Sequence, residues 1–203
     1  MKIFIVGCQA TGKHEVANLL RKDGVSVGSI FTDMSSIESQ DKYGFDNYEI
    51  LSKEEVKMTF ECEATIFVNT VPYTCDRFYE GLSLYEYDNN TVFVVTPYQF
   101  NNISTKYIKP QTKDPRDEHY PLIIWLDGSN HTRSMRHKTE NRIYNYVKQE
   151  IFEQASVPDF IDYVNSLDNV MYFNNEESNR VKTIIKAILT FPELTTDFVK
   201  NFK

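Results

Sequence analysis

Short apolar runs alternate with amphipathic stretches along the chain. Short stretches rich in apolar residues predict strands over residues 2–6, 25–32, 91–95, 122–126 and 169–173. Between these runs, the spacing of apolar positions predicts helices over 12–22, 52–60, 98–107, 138–155 and 176–189. Strands that alternate with helices are typical of βαβ units, so the pattern predicts an α/β fold with a parallel sheet covered on both faces.

Two stretches on either side of the helix predicted at 52–60 depart from this alternation. Residues 33–49 are polar and irregular, and residues 62–87 alternate in polarity and contain many aromatic side chains, which predicts short antiparallel strands. The whole section, 33–87, is too long for a plain loop inside a compact domain. We therefore expect a small lobe inserted into the α/β core.

The composition is that of an acidic globular protein. Hydrophobic residues make up 41% of the 203 residues and charged residues 25%, which is close to ordinary globular usage. The net charge of −7 is a poor match for broad contact with nucleic acid or an anionic membrane, so neither is expected as a partner. A local basic site for a phosphorylated small molecule remains compatible with this charge.

The cysteines and the first residues favour a cytoplasmic protein. Cys8, Cys62 and Cys75 have no CxxC spacing, which argues against a disulfide framework or a structural zinc site. The apolar run at residues 3–6 is too short for the core of a signal peptide, and no run approaches the ~18 residues of a membrane span. The abundance of Asn, Ile, Lys and Tyr favours an AT-rich bacterial or phage genome, and for a phage protein the expected location is the host cytoplasm.

The strongest motif is a candidate phosphate-binding loop between the first strand and the first helix. It fits G-x-x-x-x-G-K and comprises Gly7, Cys8, Gln9, Ala10, Thr11, Gly12, Lys13 and His14. Its glycines let backbone N–H groups point at phosphate oxygens, the helix N-terminus adds positive partial charge, and the lysine reaches the β- and γ-phosphates. The alternative is a chance glycine turn before a solvated helix.

His14 departs from the usual chemistry of such a loop. The position after the lysine ordinarily carries a Ser or Thr hydroxyl that ligates Mg²⁺, and an imidazole is a poor ligand for this oxygen-preferring cation. Three interpretations remain open. ATP phosphates and water alone hold Mg²⁺, the site has lost catalysis while keeping the fold, or His14 simply faces solvent.

Several segments together resemble the nucleoside monophosphate kinases, and among them guanylate kinase. The loop and helix GCQATGKHEVANLL (7–20) are similar to the family's opening, and YGFDNYEILSKEEV (43–56) resembles its Gly-Asp-Tyr strand and Ser-x-Glu-Glu-Phe helix. Phe78-Tyr79-Glu80-Gly81 is similar to its Tyr-Tyr-Gly turn. HTRSMRHKTENRIYNYVKQE (131–150) resembles its arginine-bearing lid, and DNVMYFNNEESNRVKTIIKAIL (168–189) its closing strand and helix.

The resemblance implies a P-loop NTPase three-layer fold and transfer of the γ-phosphoryl of ATP, with Mg²⁺, to a (deoxy)nucleoside monophosphate. It implies one kinase-like domain with a core at 1–31, 88–130 and 142–203, a monophosphate-binding lobe at 32–87 and a lid at 131–141. The expected assembly is a monomer or homodimer. The implied catalytic residues are Lys13, Arg133, Arg136 and Arg142. The candidates for binding the acceptor are Tyr79, Arg77, Glu80 and Asp46.

The residue types give some of these roles a physical basis. Guanidinium groups stabilise the spread negative charge of a phosphoryl-transfer transition state, although a solvated basic patch is the alternative for the lid arginines. Asp46, Glu49 or Glu80 could read a base by accepting hydrogen bonds, whereas lobe carboxylates are more often solvated. The tyrosines of the lobe are expected mainly to pack.

Two departures limit what carries over from the family. FTDMSSIESQ (31–40) has none of the arginines that grip the monophosphate there, and Thr96-Pro97 replaces the acidic residue after the strand at 91–95. Guanine specificity is therefore not expected to carry over. A second hypothesis is a degenerate kinase fold that acts as a nucleotide- or protein-binding module, and a third is a different acceptor, such as a modified nucleotide.

Overall fold

The structure is a computed structural model, and it describes residues 1–8, 10–32, 48–61, 65–73, 76–108, 121–129, 131, 133, 135, 161–162, 169–174 and 177–202. The strands are β1 (Ile3–Gly7), β2 (Val27–Gly28), β3 (Ile30–Thr32), β4 (Tyr48–Ile50), β5 (Thr65–Tyr73), β6 (Asp76–Ser83), β7 (Val92–Val95), β8 (Leu122–Asp127) and β9 (Val170–Asn174). The helices are α1 (Lys13–Lys22), α2 (Lys53–Glu61), α3 (Leu84–Asn89), α4 (Pro97–Ile103), α5 (Ser178–Thr190) and α6 (Thr195–Asn201). A π-helical turn (Ser104–Ile108) follows α4, and a 3-10 turn (Pro192–Leu194) precedes α6.

Five strands form one parallel sheet in the order β2-β7-β1-β8-β9. This confirms the predicted α/β fold and four of the five predicted strands, with boundaries that differ by one or two residues. β1 lies at the centre, with β7 and β8 as its neighbours. The carboxyl ends of these three strands therefore meet at one edge of the sheet, which is where open α/β sheets bind ligands.

The sheet has an apolar core on each face. Alternate side chains of the central strands point to opposite faces, so Phe4, Phe93 and Trp125 pack on one face. Ile5 and Ile124 pack on the other. α3 and α4 contribute buried side chains to the first core, and α1 and α5 contribute to the second, which confirms the expected cover of helices on both faces. The continuous apolar runs of the sequence arise from this burial on two sides.

The predicted strand at 25–32 is divided between two sheets. β2 pairs in parallel with β7, whereas β3 pairs with β4 and β6 in a second sheet. Ser29 lies between them, and its backbone N–H donates to Glu86 Oε2 at 2.7 Å. The prediction of a single strand over 25–32 was therefore wrong, because the local sequence favours extended, buried residues but does not show which sheet they join.

The second sheet has four strands in the order β4-β3-β6-β5. β5 and β6 form a long antiparallel hairpin, which confirms the antiparallel strands predicted within 62–87. The last part of that stretch is instead α3, because the Ser83 side chain accepts a hydrogen bond from Glu86 N and begins a helix. The described strands of this sheet lie between Ile30 and Ser83.

Most of the predicted helices also have counterparts. α2 begins at the predicted capping box, in which Ser52 Oγ accepts from Glu55 N and Glu55 Oε2 accepts from Ser52 N. α4 with its π-helical turn covers the helix predicted at 98–107, and α5 covers most of that predicted at 176–189. The helix predicted at 138–155 lies outside the described residues. Within the part of the chain that the structure describes, no helix combines the length and apolarity needed to cross a bilayer.

Candidate phosphate-binding site

Gly7 ends β1 at a point where the backbone is tightly packed. It lies opposite Leu126 of β8. A Cβ at position 7 would lie 2.4 Å from Thr11 Oγ1 and 2.9 Å from the Leu126 carbonyl oxygen, so any side chain here would displace the loop or the neighbouring strand. The first glycine of the motif is therefore needed for close packing against β8.

The loop after Gly7 curls through two left-handed residues. Ala10 has φ 63° and Gly12 has φ 86°. Left-handed backbone within a short loop is typical of concave segments whose N–H groups face an anion. Glycine adopts this conformation freely, whereas alanine does so only at a cost in free energy, so the loop holds Ala10 in a strained conformation. Gln9, the remaining member of this turn, lies outside the described residues.

Lys13 is the first residue of α1, and it is only 4% exposed. Its Nζ donates to the Cys8 carbonyl oxygen at 2.9 Å, and Thr11 Oγ1 donates to the same oxygen at 2.9 Å. The lysine side chain therefore folds back over the loop. Burying an ammonium group is costly unless negatively polarised atoms compensate its charge, and a phosphate oxygen would do so better than a carbonyl.

The N-terminus of α1 is arranged for an anion. Gly12 is its N-cap residue and brings no side chain that could cover the first turn. The amides there carry a positive partial charge of about half an elementary charge. Glu15, in the same turn, accepts a hydrogen bond from Ser178 Oγ at 3.0 Å, which fastens the start of α1 to the start of α5. His14 is partly exposed in this turn.

Two residues lie where the strands that flank β1 end. Thr96 follows β7 and is buried, and its hydroxyl accepts from Gln99 N as the N-cap of α4. Asp127 ends β8, is exposed, and accepts from Gly128 N at 2.8 Å.

Arg133 is 5% exposed, and its backbone N–H donates to the Ser129 carbonyl oxygen, so it lies one helical turn beyond the end of β8. The second predicted lid arginine, Arg136, and the catalytic candidate Arg142 lie outside the described residues.

The residues predicted to bind the acceptor differ in their surroundings. Tyr79 is 41% exposed, and its carbonyl oxygen accepts from Thr32 Oγ1. Glu80 is 2% exposed, and its carboxylate accepts a hydrogen bond from Gln99 Nε2 at 3.0 Å. The expectation that the lobe carboxylates are solvated is therefore wrong for Glu80. Arg77 lies in β6 opposite Pro72, and Asp46 lies outside the described residues.

Gln99 is a residue that the sequence interpretation missed. Its Oε1 accepts from Thr96 N at 2.9 Å, which completes a capping box, while its Nε2 donates to Glu80. Burial, and secondarily the nearby Glu80 charge, raise the pKa of Tyr98 beside it. The spacing of Thr96 and Gln99 is the capping-box signature, so this part could have been found from the sequence. The contact with Glu80 could not, because it joins α4 to β6, a strand of the second sheet.

The strand, loop and helix at 3–22, placed at the centre of a parallel sheet, define a P-loop α/β protein. No protein-family model matches the chain, and no curated protein sequence matches it. Among solved structures, guanylate kinase from Anaplasma phagocytophilum is similar, with a TM-score of 0.51 and 12% identity over 92% of this chain and 85% of that one. Deoxyadenosine kinase from M. mycoides with bound dATP has a TM-score of 0.41 and 17% identity over 94% of this chain and 100% of that one. The first likeness shows that the chain has the fold of the P-loop kinases.

The residues present fit a polyphosphate better than a protein-bound magnesium ion. Lys13, the glycine-framed turn and the start of α1 supply donors and positive charge, as a phosphate chain requires. Mg²⁺ prefers oxygen ligands, and the position after Lys13 carries an imidazole. Within the part of the chain that the structure describes, no group of three or more His, Cys, Asp or Glu side chains is arranged to hold a metal ion.

Proposed function

We propose that the protein is a phosphotransferase that moves the γ-phosphoryl group of ATP to a (deoxy)nucleoside monophosphate. The observation that carries this proposal is the buried Lys13, whose ammonium group lies over the loop at the carboxyl end of β1. A lysine in that place suits a phosphate chain in the turn more than any other ligand, because the loop amides and the helix start add to its positive field. The P-loop kinase fold is consistent with this chemistry.

The proposed reaction is a direct transfer without a covalent intermediate on the protein. An oxygen of the acceptor's phosphate attacks the γ-phosphorus of ATP, and the bond from that phosphorus to the β-phosphate oxygen breaks. The products are ADP and a nucleoside diphosphate. The protein has little covalent work to do, so positioning and neutralisation of charge supply the acceleration.

Each group of residues has a role in this proposal. Lys13 and the loop amides hold the β- and γ-phosphates. The lid at 131–141 closes over ATP and excludes water. The lid and the helix that follows it bring guanidinium groups to the transferred phosphoryl, and the candidates are Arg133, Arg136 and Arg142. The lobe at 32–87 binds the acceptor, with Tyr79, Arg77, Glu80 and Asp46 as candidates.

The test is ADP release measured with each common ribo- and deoxyribonucleoside monophosphate in turn. We expect turnover with at least one acceptor and a loss of about 100-fold or more in Lys13→Ala, because one preorganised donor to a developing charge contributes that much. Lys22→Ala is the matched control, since it removes an exposed lysine from the last turn of the same helix. The absence of turnover, together with no rise in Tm on adding ATP, would refute the proposal.

A second candidate function is that of a nucleotide- or protein-binding module with this fold. His14 favours it, because the usual hydroxyl is missing from the loop, and so does the lack of arginines in FTDMSSIESQ (31–40). The two candidates separate cleanly. Binding of ATP without turnover on any acceptor favours the module, and turnover that survives His14→Ser shows that the imidazole is compatible with catalysis.

A further inference from the structure

The positions from which a P-loop protein usually offers oxygen ligands to Mg²⁺ carry other chemistry here. The residue after Lys13 is His14, whose imidazole offers nitrogen rather than the oxygen that this hard cation prefers. The strand β7 ends at Val95 and is followed by Thr96 and Pro97, so it brings no carboxylate to the sheet edge.

Two threonine hydroxyls in the loop and after β7 are engaged in structural bonds. Thr11 Oγ1 is buried and donates to the Cys8 carbonyl oxygen at 2.9 Å. Thr96 Oγ1 is buried and accepts from Gln99 N at 3.2 Å, and the capping box holds it there. Thr11 is 1% exposed and Thr96 is 6% exposed, so both hydroxyls serve the loop and the N-cap of α4 in the interior rather than facing solvent.

Asp127 is the carboxylate that the structure places at the end of a strand flanking β1. It is exposed, and one of its oxygens accepts from Gly128 N at 2.8 Å. A single exposed carboxylate is a weak anchor for Mg²⁺, which holds its own water shell tightly. Asp127 is nevertheless the strongest rival explanation, and the experiment below includes it.

We propose that the protein binds the polyphosphate of its nucleotide through Lys13 and the loop amides, with no side-chain ligand to Mg²⁺ from the described residues of the phosphate loop or from the ends of β7 and β8. This inference rests on the proposed function. A divalent cation bound only by phosphate oxygens and water lowers the negative charge of ATP without adding a bond to the protein. Mg²⁺ therefore does not raise the affinity for ATP, whereas in a loop with a protein ligand it does.

The first measurement is the dissociation constant of ATP by calorimetry, in excess Mg²⁺ and in EDTA. We expect binding in EDTA to be at least as tight as in Mg²⁺. Affinity that is about tenfold higher in Mg²⁺, a difference of about 1.4 kcal/mol, would overturn the inference while leaving the proposed function intact. The absence of ATP binding in both conditions would overturn the proposed function and this inference together.

The second measurement looks directly at the metal. Mn²⁺ replaces Mg²⁺ in the nucleotide complex, the protein carries ¹⁵N-labelled histidine, and pulsed electron paramagnetic resonance detects nitrogen bound to the manganese. We expect no histidine nitrogen signal, and equal affinity for Mn²⁺-ATP in wild type and Asp127→Asn. A nitrogen signal that disappears in His14→Ser, or a loss of about tenfold or more in the affinity of Asp127→Asn for Mn²⁺-ATP, would overturn the inference.

Discussion

Gly7 and Gly24 show how two glycines can matter for different physical reasons. Gly7 has neighbours within 3 Å of any added Cβ, whereas Gly24, just after α1, has open space but a φ of +81°. A side chain at Gly7 would collide with Thr11 and with β8. A side chain at Gly24 would only strain the backbone.

We expect Gly7→Ala to weaken both the fold and the phosphate loop. Overpacking predicts a loss of about 1–3 kcal/mol in the free energy of unfolding, together with weaker ATP binding, because the Thr11 hydroxyl must move away from Cys8. Urea denaturation and ATP titration measure the two effects. Gly24→Ala is the control, with about 1 kcal/mol of destabilisation and unchanged ATP binding. Equal loss of ATP affinity in the two variants would contradict the role assigned to Gly7.

Single residues also show where prediction from the sequence stops. The loop from Gly7 to Lys13 could be recognised because its residues are consecutive and each follows a local rule. Glu80 could not be recognised as buried, because its hydrogen-bond partner Gln99 is 19 residues away along the chain, in helix α4. Local composition alone made Glu80 look like an ordinary surface carboxylate.

At the scale of elements, two helices begin with the same capping box in different surroundings. α2 uses Ser52 and Glu55 on the exposed surface, and the hydrogen bonds there lower the pKa of Glu55. α4 uses Thr96 and Gln99 in the interior, and Gln99 also donates to Glu80. The same sequence signature therefore caps α2 locally, whereas in α4 it also connects the helix to β6 of the second sheet.

We expect Gln99→Ala to cost about 2–4 kcal/mol of unfolding free energy, because it removes the cap and one donor to the buried Glu80 carboxylate. Ser52→Ala, which breaks the exposed box, is expected to cost about 1 kcal/mol. Chemical denaturation of both variants measures the difference. Equal costs would show that the buried contact with Glu80 contributes nothing.

The packing of α1 against α5 predicts a dependence on pH. Asp23 Oδ2 lies 3.0 Å from Lys186 Nζ and 3.2 Å from Lys182 Nζ, and hydrogen bonds first from Lys186 and then from Lys182 lower the pKa of Asp23. A carboxylate with a lowered folded-state pKa stabilises the fold above its unfolded pKa of about 3.9, and this contribution is lost as the pH falls through the lower folded value.

Asp23→Asn should therefore lower Tm at pH 7, and the gap to wild type should close as the pH falls below about 4. The gap should also shrink in high salt, because the ion pairs are on the surface. Differential scanning calorimetry across this pH range measures the gap in Tm. As the control, Asp23→Asn is compared with Asp23 in a protein that carries both Lys182→Met and Lys186→Met, and there we expect no gap. A gap that stays constant from neutral to acid pH would contradict the ion-pair explanation.

The positions of strands and helices along the chain were easier to predict than the sheet to which each strand belongs. The runs at 91–95 and 122–126 became β7 and β8 because a strand buried on both faces is apolar throughout. The stretch at 25–32 was also predicted as one strand, yet Val27 and Gly28 pair with β7 while Ile30 to Thr32 pair with β4 and β6. Burial is visible in composition, but the identity of the pairing strand is not.

At the scale of the whole molecule, Glu86 joins the two sheets where the chain passes from one to the other. Its Oε2 accepts from Ser29 N at 2.7 Å and from Asn90 Nδ2 at 3.1 Å. Ser29 is the single residue between β2 and β3. The position of the second sheet against the core therefore depends in part on one carboxylate.

We expect Glu86→Ala to lower the free energy of unfolding by about 1–2 kcal/mol, because a partly buried backbone N–H loses its charged acceptor. Hydrogen exchange should rise first at Ser29 and along β3. Asp88→Ala is the matched control on the exposed side of α3, with a change within about 0.5 kcal/mol. Unchanged exchange at Ser29 would show that this contact does not hold the sheets together.

The sequence by itself determined the central strands, most of the described helices and the loop from Gly7 to Lys13. These features follow local rules of burial, capping and backbone conformation that act over a few neighbouring residues. Only the tertiary structure decided that Ser29 divides two sheets, that Glu80 is buried on Gln99, and that Glu15 meets Ser178. Each of these depends on contacts between segments far apart in the chain, whose meeting is set by the packing of the whole fold.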